Sequence, residues 1–129
     1  MNKTIFITGI LMGVSAVALG AFGAHGLEKL VEADALQTFE TGVKYQMYHA
    51  LFLLILGSTG LLSEQNKKFP FFMIVIGVVL FSFSIFLLAT NSLTRFDFKT
   101  IGFITPIGGL LLILGWMVVG YQVWRSVKK

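Results

Sequence analysis

The sequence predicts an all-α membrane protein with four transmembrane helices and an amphipathic interfacial helix between the first and second. Three observations carry this. Four stretches approach the roughly 20 apolar residues that a helix rising about 1.5 Å per residue needs to cross a hydrocarbon core about 30 Å thick. None of the four contains aspartate, glutamate, lysine or arginine. The alternating polarity of a barrel strand is absent, so the backbone amides of each stretch must be bonded within it, as a helix does. The composition agrees, with 56% hydrophobic and 12% charged residues, outside the range of soluble domains.

The first span runs from Thr4 to about Ala24, uncharged between Lys3 and Glu28. Its rival is a signal peptide cleaved near Ala21-Phe22-Gly23, because Lys3 supplies a positive start and small residues follow the apolar run; the span reading is preferred. The segment after it is more polar but periodic. Leu36, Phe39, Val43, Met47 and Ala50 recur at steps of three and four, which is one apolar face of a helix. Asp34 followed by Gln37 fits an N-cap with its capping-box partner. The segment therefore reads as an interfacial helix over about 35–44, bending at Gly42 into a second span over about 45–62. The third span covers about 69–89 and the fourth about 105–124. No repeat, linker or low-complexity segment divides the chain, so residues 1–129 form one domain.

Pro106 is expected to open the fourth helix instead of kinking it. Thr105 can cap a helix whose first residue is proline, where the missing amide would have been unbonded in any case. The residues before it, "RFDFKTIGFI", then become an outer-surface connection or a shallow re-entrant turn.

Charge sets the expected orientation. With four spans, Lys3, Lys67, Lys68, Arg125, Lys128 and Lys129 share the side of the termini, while Lys29, Lys44, Arg95 and Lys99 face the other side with Glu28, Glu32, Asp34, Glu40 and Asp97. Basic residues concentrate on the cytoplasmic side, so both termini are expected in the cytoplasm of a bacterium, with the chain multi-pass in its plasma membrane. Tyr121 and Trp124 then form an inner aromatic belt, and Tyr45 and Tyr48 an outer one. The net charge of +4 sits at the ends of apolar runs, which points to membrane lipids as partners and not to nucleic acid. The chain has no cysteine, which excludes disulfides, thiolate metal sites and a cysteine nucleophile.

Gly9, Gly13, Ala16, Gly20 and Gly23 fall on one face of the first span, and Gly108 and Gly109 open the fourth. Small residues at such spacing let a neighbouring backbone approach closely. Packing within the chain is the first reading, and packing in a homo-oligomer the second. The stretch "YQMYH" places Tyr45, Gln46, Tyr48 and His49 near one another on a helix. With His25 at the same outer end by this topology, they form a candidate polar cluster for a small-molecule ligand of unknown identity. Imidazoles suit proton transfer or pH sensing, but two histidines without an intramembrane carboxylate make a poor metal site, so no metal and no cofactor is expected. Ser82 and Ser84 in "FSFSIF" read as structural hydroxyls, since nothing at their depth completes a catalytic triad. No catalytic residue and no phosphate or dinucleotide motif is found, and the uncharged spans weigh against an ion-coupled pump.

In order along nearly the whole chain, "GAFGAHGL", "YQMYHAL", "GFITPIGG" and Gly115-Trp116 resemble the family of small bacterial membrane proteins typified by YgdD and YwdK. That family has eukaryotic relatives and is catalogued as a domain of unknown function. The resemblance implies a four-span α-helical protein of the inner or plasma membrane and brings no reaction or catalytic residues with it. Phe83 departs from the pattern, which has glycine between the serines and tyrosine after them, and so puts close packing at that point in question. The functional expectation is a non-enzymatic protein with a packing, assembly or envelope-supporting role. The alternative is a small oligomeric channel or transporter lined by the His/Tyr cluster.

Overall fold

The computed structural model describes residues 1–128 and is helical, with no strand among the described residues. Lys129, counted above among the basic residues of the C-terminal side, lies outside them. Helix α1 covers Lys3–His25 and starts where the Asn2 side chain accepts from the Ile5 amide at 3.0 Å. A single 3-10 turn at Leu27–Lys29 leads into α2, Ala33–Ser58. A short turn then gives α3, Glu64–Val78, whose N-cap Ser63 accepts from the Asn66 amide. A π turn at Val79–Phe83 continues α3 into α4, Ser84–Ala89. Two more 3-10 turns, Asn91–Leu93 and Phe98–Ile101, precede α5, Ile104–Val127.

Three expectations about α2 are corrected. There is no separate interfacial helix over 35–44, because those residues are the first turns of one 26-residue helix. Its N-cap is Glu32 and not Asp34, and Glu32 makes no side-chain capping bond. Gly42 is no bend either. It is buried against α4, where a Cβ would stand 2.6 Å from the Phe86 ring, and its carbonyl accepts from Ser82 Oγ at 2.9 Å. A residue clamped between two helices stays helical, since the absence of a side chain serves the close approach there.

Three helical stretches are long and apolar enough to cross a membrane: Lys3–Lys29, Glu64–Ala89 and Phe98–Val127. α3 begins at Glu64, five residues ahead of the start expected for the third span at about 69. α2 is equally long, about 39 Å at the standard rise, but Lys44, Gln46 and His49 lie within it.

α1 and α2 run antiparallel, and their register is set by α1's small residues. A Cβ on Gly9 would lie 2.9 Å from the Ala50 carbonyl, one on Gly20 3.4 Å from Val43 and one on Gly23 3.1 Å from Phe39. Gly57 returns the contact at the other end, 2.9 Å from the Phe6 amide. α2 packs in turn on the π turn and α4, and α3 packs on α5. Between α3 and α5 the glycines alternate sides, Gly77 meeting Leu112 and Gly115 meeting Ile74.

The tightest approach is at the π turn, where a Cβ on Gly108 would stand 2.4 Å from the Phe81 amide nitrogen. Phe83, by contrast, is exposed. Close packing therefore occurs at Phe81, two residues before Phe83, and the aromatic departure from the family pattern points outward. Two apolar clusters result. One joins Ile5, Leu53, Leu56, Ile74 and Leu112, and the other joins Leu27, Phe39 and Ala89 near the α1–α2 connection.

Gly108→Ala is expected to destabilise the fold by about 1–3 kcal/mol through overpacking. Gly120→Ala has nothing within 4 Å of its Cβ position and is expected to be neutral or to gain up to about 1 kcal/mol from helix propensity. Denaturant titration of the detergent-solubilised protein measures both, and equal effects would show that the α5–π-turn contact is not tight.

Candidate functional site

The polar side chains inside the helices each reach for a backbone group or a second polar side chain. Gln46 lies on the face of α2 toward α1, where its Nε2 donates to the Met12 carbonyl at 3.0 Å and to Ser15 Oγ at 2.6 Å. His49 lies one turn further on. Its Nδ1 is 2.6 Å from the Tyr45 carbonyl, and its Nε2 is 3.1 Å from Trp116 Nε1 on α5. A carbonyl can only accept and an indole N–H can only donate. Nδ1 therefore carries the proton, Nε2 is bare, and the imidazole is the neutral Nδ1–H tautomer. The two rings meet edge-on, 6.2 Å apart at 81°. While both bonds stand, His49 has no nitrogen free for a substrate.

A cavity of about 470 Å³ lies beside this pair, lined by Tyr45, Phe81, Gly109, Leu112 and Trp116. The serines of "FSFSIF" are buried nearby. Ser82 Oγ donates to the Gly42 carbonyl, while Ser84 Oγ bonds the Leu80 and Phe81 carbonyls and sits 2.6 Å from Thr105 Oγ1. Ser84 thus gives two carbonyls of the π turn a side-chain partner.

This geometry corrects several expectations. Of the cluster His25, Tyr45, Gln46, Tyr48 and His49, only Tyr45, Tyr48 and His49 are brought together, with ring centroids 5.7 Å apart for Tyr45–Tyr48 and 6.5 Å for Tyr45–His49. In the α1–α2 register, His25 stands opposite about residue 38, some eleven residues and roughly 16 Å along the axis from His49. His25 is exposed at the end of α1. Gln46 faces α1, and Tyr48 is 53% exposed on the outer flank of α2. Tyr45 and Tyr48 stand level with Ala18 and Ser15 of α1, within its apolar run, so they do not form an outer belt. Thr105 does not cap α5, which starts one residue earlier with Phe103 as its N-cap. Its hydroxyl is used on Ser84 instead, and Pro106 occupies the first turn without being the first residue.

Gly9, Gly13, Ala16, Gly20 and Gly23 all face α2, and Ala16 is fully buried. Gly109 touches the Phe81 ring beside the Gly108 contact. Among the described residues, no group of three or more histidines or carboxylates is placed to hold a metal.

Sequence reasoning missed two groups and gave a third, Trp116, no role of its own. Lys67, tallied as a loop charge, is fully buried in the first turn of α3, with Nζ 2.9 Å from Glu64 Oε1 and 3.5 Å from the Gly57 carbonyl. Asn2 completes this network, donating from its side chain to Glu64 and from its backbone to Gly57. Trp116 drew notice only as part of a family motif, although an indole in an apolar helix needs an acceptor. The other is Gln122 on α5, whose Oε1 is buried without a hydrogen-bond partner, the only such side-chain atom among the described residues.

A family model described as a protein of unknown function (DUF423) matches residues 19–109. The chain is similar to the UPF0382 membrane protein of Staphylococcus saprophyticus, with 40% identity over 117 residues covering 91% of this chain and 93% of the relative. It is similar to that of Haemophilus influenzae, at 38% over 97% of this chain and 96% of the relative. It is also similar to YwdK of Bacillus subtilis, at 37% over 91% and 93%. No solved structure matches.

Trp116→Phe is expected to cost about 0.6–1.7 kcal/mol, the range for interhelical hydrogen bonds in membranes. In nitrogen-15 spectra of the histidine-labelled protein, His49 is expected to show a protonated Nδ1 and a bare Nε2, with the Nε2 signal shifting in Trp116→Phe. A protonated Nε2 in the unaltered protein would refute the assignment.

Proposed function

The chain belongs to the DUF423 family, whose relatives are membrane proteins, and from that premise we propose that it is a four-span, non-catalytic protein of the bacterial plasma membrane that supports the envelope by packing and assembly. One observation supports this above the rest. Within the apolar layer, the buried side chains of Gln46, His49, Ser82 and Ser84 all close on partners in the same chain. A catalytic site keeps a nucleophile, base or acid free to meet substrate. Here these groups act as fasteners between helices.

The four-span topology rests on α2. It packs along α1 through its length, and an antiparallel partner to a spanning helix must itself cross. Its buried Gln46 and His49 are covered by bonding, and Lys44 can extend toward the helix start, the direction in which helical side chains lean. Both termini then share one side, the cytoplasm by the distribution of basic residues. The partners are membrane lipids and further copies of the chain. The small-residue face of α1 is occupied by α2, so assembly runs through the exposed apolar flanks, such as Leu11, Val14 and Val17 of α1. The channel alternative loses its support, because His25 and His49 sit at different depths.

The chain has no cysteine, so single cysteines report topology directly. With a membrane-impermeant maleimide on intact cells, Lys29→Cys and Thr94→Cys are expected to label, and Gly60→Cys and Ser126→Cys only after permeabilisation. Labelling of Lys29 and Gly60 positions from one side would overturn the second span. For the role itself, envelope sensitivity of a deletion strain to detergent is expected to be rescued by His49→Gln and Ser84→Ala in proportion to the folded protein present. A variant folded to the normal level that fails to rescue would point to chemistry instead.

A further inference from the structure

Gln122 stands out against the closed polar interior of the rest of the chain. Its Oε1 is buried and unpartnered, and it lines a cavity of about 710 Å³ between the start of α3 and the C-terminal half of α5. The cavity has two chemically distinct ends. Toward the middle of the membrane it is walled by Leu114, Met117 and Val118, and at the end that carries the termini by Asn66, Gln122 and Arg125.

From Leu114 to Arg125 is eleven residues, or about 17 Å at the helical rise, close to half of the ~30 Å hydrocarbon core. That is the depth of one leaflet. The Arg125 guanidinium lies 5.8 Å from the Tyr121 ring centroid. Among the described residues, the only ion pair is Lys67–Glu64, so none of their carboxylates pairs with this guanidinium.

We propose that this groove is a binding site for a single anionic glycerophospholipid whose headgroup carries a hydroxyl, the chemistry of phosphatidylglycerol. Arg125 takes the phosphodiester, as guanidinium does most readily. The Gln122 carboxamide oxygen accepts from the headgroup hydroxyl, and Asn66 adds a further polar contact. One acyl chain lies along Leu114, Met117 and Val118. A phosphocholine headgroup has no donor for Gln122 and would bring its cation toward Arg125. The proposal extends the lipid partnership above. It relies on the four-span reading only for the choice of leaflet, and binding in detergent does not depend on topology, so the two can fail separately.

The test is native mass spectrometry of the full chain in detergent with equimolar phosphatidylglycerol, phosphatidylmethanol and phosphatidylcholine. Phosphatidylmethanol keeps the anionic phosphodiester and lacks the headgroup hydroxyl. The unaltered protein is expected to retain phosphatidylglycerol about fivefold over phosphatidylmethanol, the scale of a neutral hydrogen bond, and phosphatidylmethanol about tenfold over phosphatidylcholine, whose choline cation Arg125 repels. Arg125→Gln is expected to erase the preference for phosphatidylmethanol over phosphatidylcholine, and Gln122→Leu the preference for phosphatidylglycerol over phosphatidylmethanol, each leaving the other in place. Met117→Trp, which fills the apolar end, is expected to lower retention of all three lipids without altering their order. Equal retention of the three lipids by the unaltered protein would overturn the proposal, as would unchanged preferences in an Arg125→Gln protein that elutes as the same species. Displacement of bound lipid by millimolar inorganic phosphate would overturn it in favour of a soluble phosphate site.

Discussion

The structure depends on one constraint. In an apolar medium every polar group must find its partner inside the chain, because no water is available to supply one. Helices satisfy the backbone, and the side chains meet the same demand pairwise. Gln46 binds α2 to α1, Ser82 binds the π turn to α2, Ser84 binds Thr105 at the start of α5, and His49 binds Trp116. Each fastener joins elements far apart in sequence. Together they fix neighbours and depth where apolar surface cannot, since lipid tails solvate leucine as well as another helix does.

Glycine supplies the complementary element. Where Gly9, Gly42, Gly57, Gly77, Gly108 and Gly115 stand, the opposing helix comes so near that a methyl group would meet it at 3 Å or less. Close approach gains dispersion contacts and brings short side chains such as serine within reach of a partner's backbone. The Ser82–Gly42 bond is the clearest case, since the residue that donates no side chain is the one whose carbonyl is reached. The π turn belongs to the same arrangement. It widens the helix where Gly108 presses on Phe81, and Ser84 Oγ bonds the Leu80 and Phe81 carbonyls within it.

The two ends of the molecule differ in character. At the end carrying the N-terminus, Asn2, Gly57, Glu64 and Lys67 form a network tying the start of α1 to the α2–α3 turn. Nearby on α5, Arg125 and Lys128 lie over Tyr121 and Trp124, aromatic rings of the kind that settle at headgroups. At the opposite end the chain closes with 3-10 turns. Leu27 and Phe39 bury the α1–α2 connection, and Asn91 accepts from the Phe98 amide to close the α4–α5 connection. Polar anchoring is thus concentrated where the cationic residues are.

The sequence by itself determined the membrane class, the helical form and the bounds of α1 and α5 to within a few residues, because run length and absence of charge are local properties that the hydrocarbon thickness reads directly. It also marked the small-residue face of α1. What it could not decide was depth and partnership. His49 appears beside tyrosines at the edge of an apolar run, and only the α1–α2 register carries it toward the middle of the layer, away from His25. Asp34 and Gly42 offered plausible local signals for a cap and a bend, and tertiary packing overrode both by clamping α2 as one rod. Lys67 and Gln122 gave no local sign of burial. Their surroundings are built from helices brought together across dozens of residues, and such juxtapositions exist only once the chain has folded.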